Sequence, residues 1–96
     1  MLQVNKGSIE YLPVQISDRL NGITTLDGYG IAYRVTDLNE DEVVPWTGAN
    51  NDVMTVLPLI DTTGNSYADG GTYKLYVRIT INPEIVILGP FEFEVS

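Results

Sequence analysis

The sequence predicts an all-β domain, a single antiparallel sandwich of about seven short strands. Two observations carry this. From Thr72 to Ile81 the chain alternates: Tyr73, Leu75, Val77, Ile79 and Ile81 fall on one side, Lys74, Tyr76, Arg78 and Thr80 on the other. A period of two is the pleat of a half-buried strand and fits no helix. Turn signals also recur at roughly ten-residue spacing, as in antiparallel sandwiches. Helix has little room: Glu40–Val44 would make one turn at most.

Taken in order, Leu2 and Val4 open a first short strand. Tyr11–Ser17 follows, with Leu12, Val14 and Ile16 on one face; Pro13 donates no ladder bond, so this strand is an edge or is bulged there. Asp18–Gly30 reads as turns, with Asn21-Gly22 and Asp27-Gly28 the strongest signals. Ile31, Tyr33 and Val35 then alternate with Ala32, Arg34 and Thr36. Asp37–Glu42 is an acidic turn, Val43–Trp46 a short strand and Ala49–Asp52 another turn. Val53–Ile60 is apolar on both faces except at Thr55, as in a strand covered on both sides or lying at a partner surface. Asp61–Gly71 is a polar loop, Thr72–Ile81 the long strand and Asn82-Pro83-Glu84 a turn. Ile85–Val95 returns, kinked at Gly89-Pro90 as at a bulge. Phe91, Phe93 and Val95 face inward there, and outward Glu92 and Glu94 would deter edge pairing.

Composition limits the chemistry. Ninety-six residues make one domain, 1–96, with 44% hydrophobic residues and no apolar run near the ~20 needed to span a bilayer. The start, Met1–Lys6, lacks the pattern of a secretory signal, which points to the cytosol. With no Cys and no His, thiol nucleophiles, disulfides, imidazole bases and Ser-His-Asp triads are excluded. The net charge of −8 argues against nucleic acid and anionic membrane as partners.

The remaining candidates read structurally. Asp37, Glu40, Asp41 and Glu42 crowd one turn, but their spacing does not match the twelve-residue loop of helix–loop–helix calcium proteins; a solvated turn with no metal site is the expectation and a weak Ca²⁺ site the alternative. Glu92 and Glu94 lie about 6.6–7 Å apart by strand rise, with no cleft implied. The glycine pairs precede strands, so no phosphate cradle forms. Six Tyr and one Trp admit a sugar platform, though aromatics in loops and on outer faces also anchor protein interfaces.

Asp69-Gly70-Gly71-Thr72-Tyr73 resembles the tyrosine corner of immunoglobulin-like sandwiches, where a Tyr at the start of a late strand bonds back to upstream backbone. Leu75 stands where the cysteine of those domains would follow. That corner, the long strand to Ile81 and the ending Ile87–Val95 together resemble small immunoglobulin-like modules of tailed bacteriophage virions. The resemblance implies a non-enzymatic structural part with no catalytic residue and no cofactor. It would be assembled in the host cytoplasm into the virion. Its partners would be capsid or tail subunits or copies of itself, with capsid decoration ahead of a neck, tail or baseplate role. Two other classes stay open: a carbohydrate-binding β-sandwich module, which a glycan array would reveal, and an enzyme domain, which the missing His and Cys disfavour.

The alternation predicts a core of Leu12, Val14, Ile16, Ile31, Tyr33, Val35, Leu57, Leu75, Val77, Ile79, Phe91 and Phe93. Tyr73 is expected to be buried, its hydroxyl bonded to backbone in Asp61–Asp69; Asp69, Gly71 and Tyr73 form the corner. Trp46, Met54, Val56, Ile60 and Tyr76 are the expected protein interface, unless the domain's own loops cover that face.

Overall fold

A computed structural model of the chain describes residues 2–16 and 22–96. The described residues contain no helix and ten strands. These are β1 Leu2–Val4, β2 Ile9–Tyr11, β3 Val14–Gln15, β4 Gly30–Asp37, β5 Glu42–Gly48, β6 Asn50–Asp52, β7 Thr55–Leu57, β8 Leu59–Asp61, β9 Thr72–Ile81 and β10 Glu84–Val95. The all-β expectation holds. Ser17, the Asp18–Leu20 stretch and Asn21 of the Asn-Gly signal lie outside the described residues.

Five strands form one sheet in the order β1-β10-β9-β4-β5. The neighbours are antiparallel except β1, which runs parallel to β10. Two smaller ladders, β2-β8 and β3-β7-β6, stand apart from it. They continue one another across proline breaks. Pro13 separates β2 from β3 and Pro58 separates β7 from β8, and neither residue has an N–H for a ladder. The Leu12 amide donates to the Pro58 carbonyl at 2.9 Å, carrying the pairing across the gap. Proline thus divides what alternation reads as single strands.

One core joins the sheets. Tyr33, Val35, Tyr73, Leu75, Val77, Ile79, Phe93 and Val95 enter it from the large sheet, and Leu12, Val14, Ile16, Val56 and Ile60 from the smaller ladders. The Tyr33 hydroxyl donates to the Leu59 carbonyl at 3.0 Å, a polar tie between the two sets. Of the expected core, Ile31 and Phe91 are half-buried at its margin.

Three local expectations are corrected. Ala49–Asp52 is not a turn: Asn50–Asp52 is β6, and the chain reverses at Val53-Met54, with Val53 at φ 52°. Val53–Ile60 is two short strands, and its inward phase is opposite to that expected. Val56 and Ile60 are fully buried, whereas Leu57 is half-buried and outside the core. The reason is register. Val14 opposes Val56, cross-strand partners share a face, and Val14 points inward. Finally, Glu94 guards no open edge, because β1 covers Phe93–Val95 and sets Gln3 opposite Glu94.

The kink at Gly89-Pro90 is a bulge, with the β9 register shifting between Leu88 and Phe91. Gly89 has φ +123°, and a Cβ there would stand 2.8 Å from the Leu75 carbonyl oxygen. Only glycine fits such a position.

Candidate interaction face and tyrosine corner

The outer face of the large sheet is the candidate site. Register fixes its membership: Arg34 opposes Tyr76, Ala32 opposes Arg78, and Gly30 opposes Thr80. On the other side of β9, Ile87 opposes Arg78 and Ile85 opposes Thr80. Trp46 joins from β5, and the Arg78 guanidinium lies 4.7 Å from its ring centroid. That distance is within the range of a cation–π contact. Gly30, Ala32 and Gly48 leave low ground between these side chains, a groove of about 260 Å³. At its far margin Ile85 and Ile87 are 63% and 58% exposed, an unusual display for two neighbouring β-branched residues.

The acidic turn closes the other end of this face. Asp37 Oδ1 accepts from the amides of Asn39 and Asp41 at 2.8 and 3.0 Å, a local bond that shapes the turn. Glu40, at φ 66°, then reaches back over the sheet. Its carboxylate accepts from Lys74 Nζ at 2.8 Å and from the Tyr76 hydroxyl at 2.8 and 2.9 Å. These bonds hold the Glu40 carboxyl below its ordinary range and raise Lys74 and Tyr76 above theirs. Arg34 pairs with Glu42 at 3.0 Å. The carboxylates of Asp37, Glu40 and Glu42 are thus committed to amides, a hydroxyl and cations of the same chain, and the described residues contain no cluster of metal-ligating side chains.

The expected interface residues part company. Trp46 and Tyr76 share the outer face, with Tyr76 turned to Glu40. Met54 packs partly buried against the core. Val56 and Ile60 lie inside it and offer no surface to a partner. Alternation places Arg78 on this face without marking it as an interface residue, and the sequence reading missed Ile85 and Ile87. Ile85-Val86-Ile87-Leu88 is apolar on both faces of its strand, and that signal could have revealed them.

The tyrosine corner forms as expected in outline. Tyr73 is buried and its hydroxyl accepts the Ala68 amide at 2.6 Å, within the expected loop. Gly71 lies against it: a Cβ there would stand 2.9 Å from both Cε2 and Oη of Tyr73 and 3.0 Å from the Ala68 carbonyl oxygen. Gly70 N–H donates to Val95 at 2.6 Å and Val95 N–H donates to Gly71 at 2.9 Å, so the corner is stitched to the last strand. The Asp69 side chain is exposed. No family model matches this chain, and neither a curated protein nor a solved structure matches it at a significant level.

Proposed function

We propose that this chain is a non-enzymatic docking module with an immunoglobulin-like sandwich fold, a structural part of a tailed-phage virion. The strand order supports the fold. Taking β2/β3 as B, β4 as C, β6 as D, β7/β8 as E, β9 as F and β10 as G, the sheets are BED and GFC, with β5 added beside C. The corner at Tyr73 stands at the start of F, where such domains place it.

The docking reading rests on one observation: the outer face sets a stacked Trp46–Arg78 pair and two exposed isoleucines around a shallow groove. Trp and Arg are the side chains that most often dominate protein interfaces, and an apolar margin beside them adds area to bury. The net charge of −8 over the whole chain favours encounter with a basic partner surface, such as a capsid or tail subunit.

Particles released by cells carrying this gene should contain the chain in many copies, as read by quantitative mass spectrometry. Ile85→Lys/Ile87→Lys should fold as the parent does and be depleted from the particles. Production of the chain in cells without its appearance in purified particles would overturn the virion reading. Undiminished incorporation of the double variant would overturn the choice of face.

A further inference from the structure

A second cavity, of about 270 Å³, shares no lining residue with the groove of the docking face. Tyr33, Val44 and Leu59 line one part of its wall, and Asp61, Ser66 and Tyr67 another. Tyr67 is 3% exposed, its ring edge-on to Tyr73 at 5.0 Å and tilted against Phe93 at 6.1 Å. Among the described residues nothing bonds its hydroxyl. Burial, with Tyr33, Tyr73 and Asp61 close by, keeps that phenol protonated well above its ordinary range, so it stays an O–H donor. The Tyr33 hydroxyl is already committed to the Leu59 carbonyl.

Asp61 supplies the complementary group. Its Oδ1 accepts from the Thr63 amide at 2.9 Å and the Thr63 hydroxyl at 2.5 Å, which hold the carboxyl below its ordinary range and therefore ionised. Oδ2 accepts from none of the described residues. The loop carrying these groups is fixed in advance. Lys6 Nζ donates to the carbonyls of Thr62, Gly64 and Tyr67 at 3.1, 2.8 and 3.0 Å. A site whose loop is already ordered loses less entropy on binding.

These features select a ligand class. An O–H donor and a carboxylate acceptor beside the aliphatic groups of Val44 and Leu59 suit a ring with hydroxyls on its rim and C–H groups on its face. The volume lies just under the roughly 300–1,000 Å³ of drug-sized sites, which limits the ligand to about one ring. A cation would satisfy Asp61 and give the Tyr67 O–H no acceptor. An anion would meet Asp61 and a net charge of −8. We propose that this cavity binds a single neutral sugar ring, with Tyr67 Oη donating to one hydroxyl and Asp61 Oδ2 accepting from another. The site goes beyond the docking role and uses none of the docking residues.

The test is amide NMR on the whole chain, titrated with the methyl glycosides of glucose, galactose, mannose and N-acetylglucosamine. Tetramethylammonium and inorganic phosphate serve as contrasting probes. At least one glycoside should shift Asp61, Thr63, Gly64, Ser66 and Tyr67 saturably, with Kd in the millimolar range. Tyr67→Phe should weaken it about tenfold, one hydrogen bond's worth, at unchanged thermal stability. Should Tyr67→Phe disturb the fold, Asp61→Asn, at an exposed position, carries the same expectation. The proposal is overturned if no glycoside moves these amides up to about 0.1 M, a hundred times a 1 mM Kd. Equal shifts with tetramethylammonium or phosphate, or undiminished binding in both variants, overturn it too. Neither variant touches the docking face, so particle incorporation separates this outcome from the fate of the docking reading.

Discussion

The amide of Ala68 donates to the hydroxyl of Tyr73 at 2.6 Å, across a turn that has no space for a side chain at Gly71. One bond thus connects the end of the long polar loop to the start of the longest alternating strand. Tyr73→Phe leaves the Ala68 N–H without its partner and should cost about 0.5–1.5 kcal/mol. Gly71→Ala forces a Cβ against the Tyr73 ring and a rigid carbonyl and should cost about 1–3 kcal/mol. Urea titration should show both as lower midpoints at unchanged slope. A neutral Tyr73→Phe would remove the corner from the account of stability.

The inverted phase of the β7–β8 segment makes a paired prediction. Ile60→Ala opens a cavity in the core and should cost about 2–5 kcal/mol. Leu59→Ala, one residue away but 46% exposed, should cost less than about 1 kcal/mol. Val56→Glu buries an unpaired charge and should prevent folding altogether, with no selective effect on docking. The reverse ranking of Ile60 and Leu59 would restore the phase expected from sequence.

Trp46 is the single tryptophan, so its fluorescence reports the groove directly. Arg78→Met keeps most of the aliphatic stem and removes the guanidinium above the ring. Emission should change while stability falls by only about 0.5–1 kcal/mol, the range of an exposed cation–π contact. An unchanged emission spectrum would mean the stack does not persist in solution.

Glu40 gives the acid limb its sign. Its folded pKa lies below the ordinary 4.5, because Lys74 and Tyr76 donate to the carboxylate. A depressed pKa contributes stability that is present above the unfolded value and lost as pH falls through the folded one. Lys74 is raised above 10.5, so its share is present below that value and lost as pH rises through the higher one. Glu40 is exposed and Lys74 half-buried at the surface beside it, so the contribution is small and fades with salt. In low salt, the urea midpoint of Glu40→Gln should fall less steeply below about pH 4.5 than that of the parent chain. Parallel acid limbs would show that the pair adds nothing.

Alternation and turn chemistry are local properties, and where they are strong they were readable. Thr72–Ile81 is a strand over just those residues, the acidic turn and the Asn82-Pro83 turn fall where expected, and Gly89-Pro90 is a bulge. Asp69-Gly70-Gly71-Thr72-Tyr73 located a hydrogen bond between residues five apart, since the turn and its partner are close in sequence. The absence of Cys and His was equally plain and narrowed the chemistry before any fold was known.

The tertiary structure decided what depends on a partner strand. In Val53–Ile60 both alternate sets are apolar, so periodicity has no preference for which faces inward; the register of Val14 against Val56 chose. Glu94 looks like an edge guard until β1 lies in parallel beside Phe93–Val95, a contact across about ninety residues of chain. The stacking of Arg78 on Trp46 and the cavity facing Tyr67 arise in the same way, from residues distant in sequence. Which side of a strand is buried, and which side chains meet there, is set by pairing energies summed over neighbours that sequence order does not name.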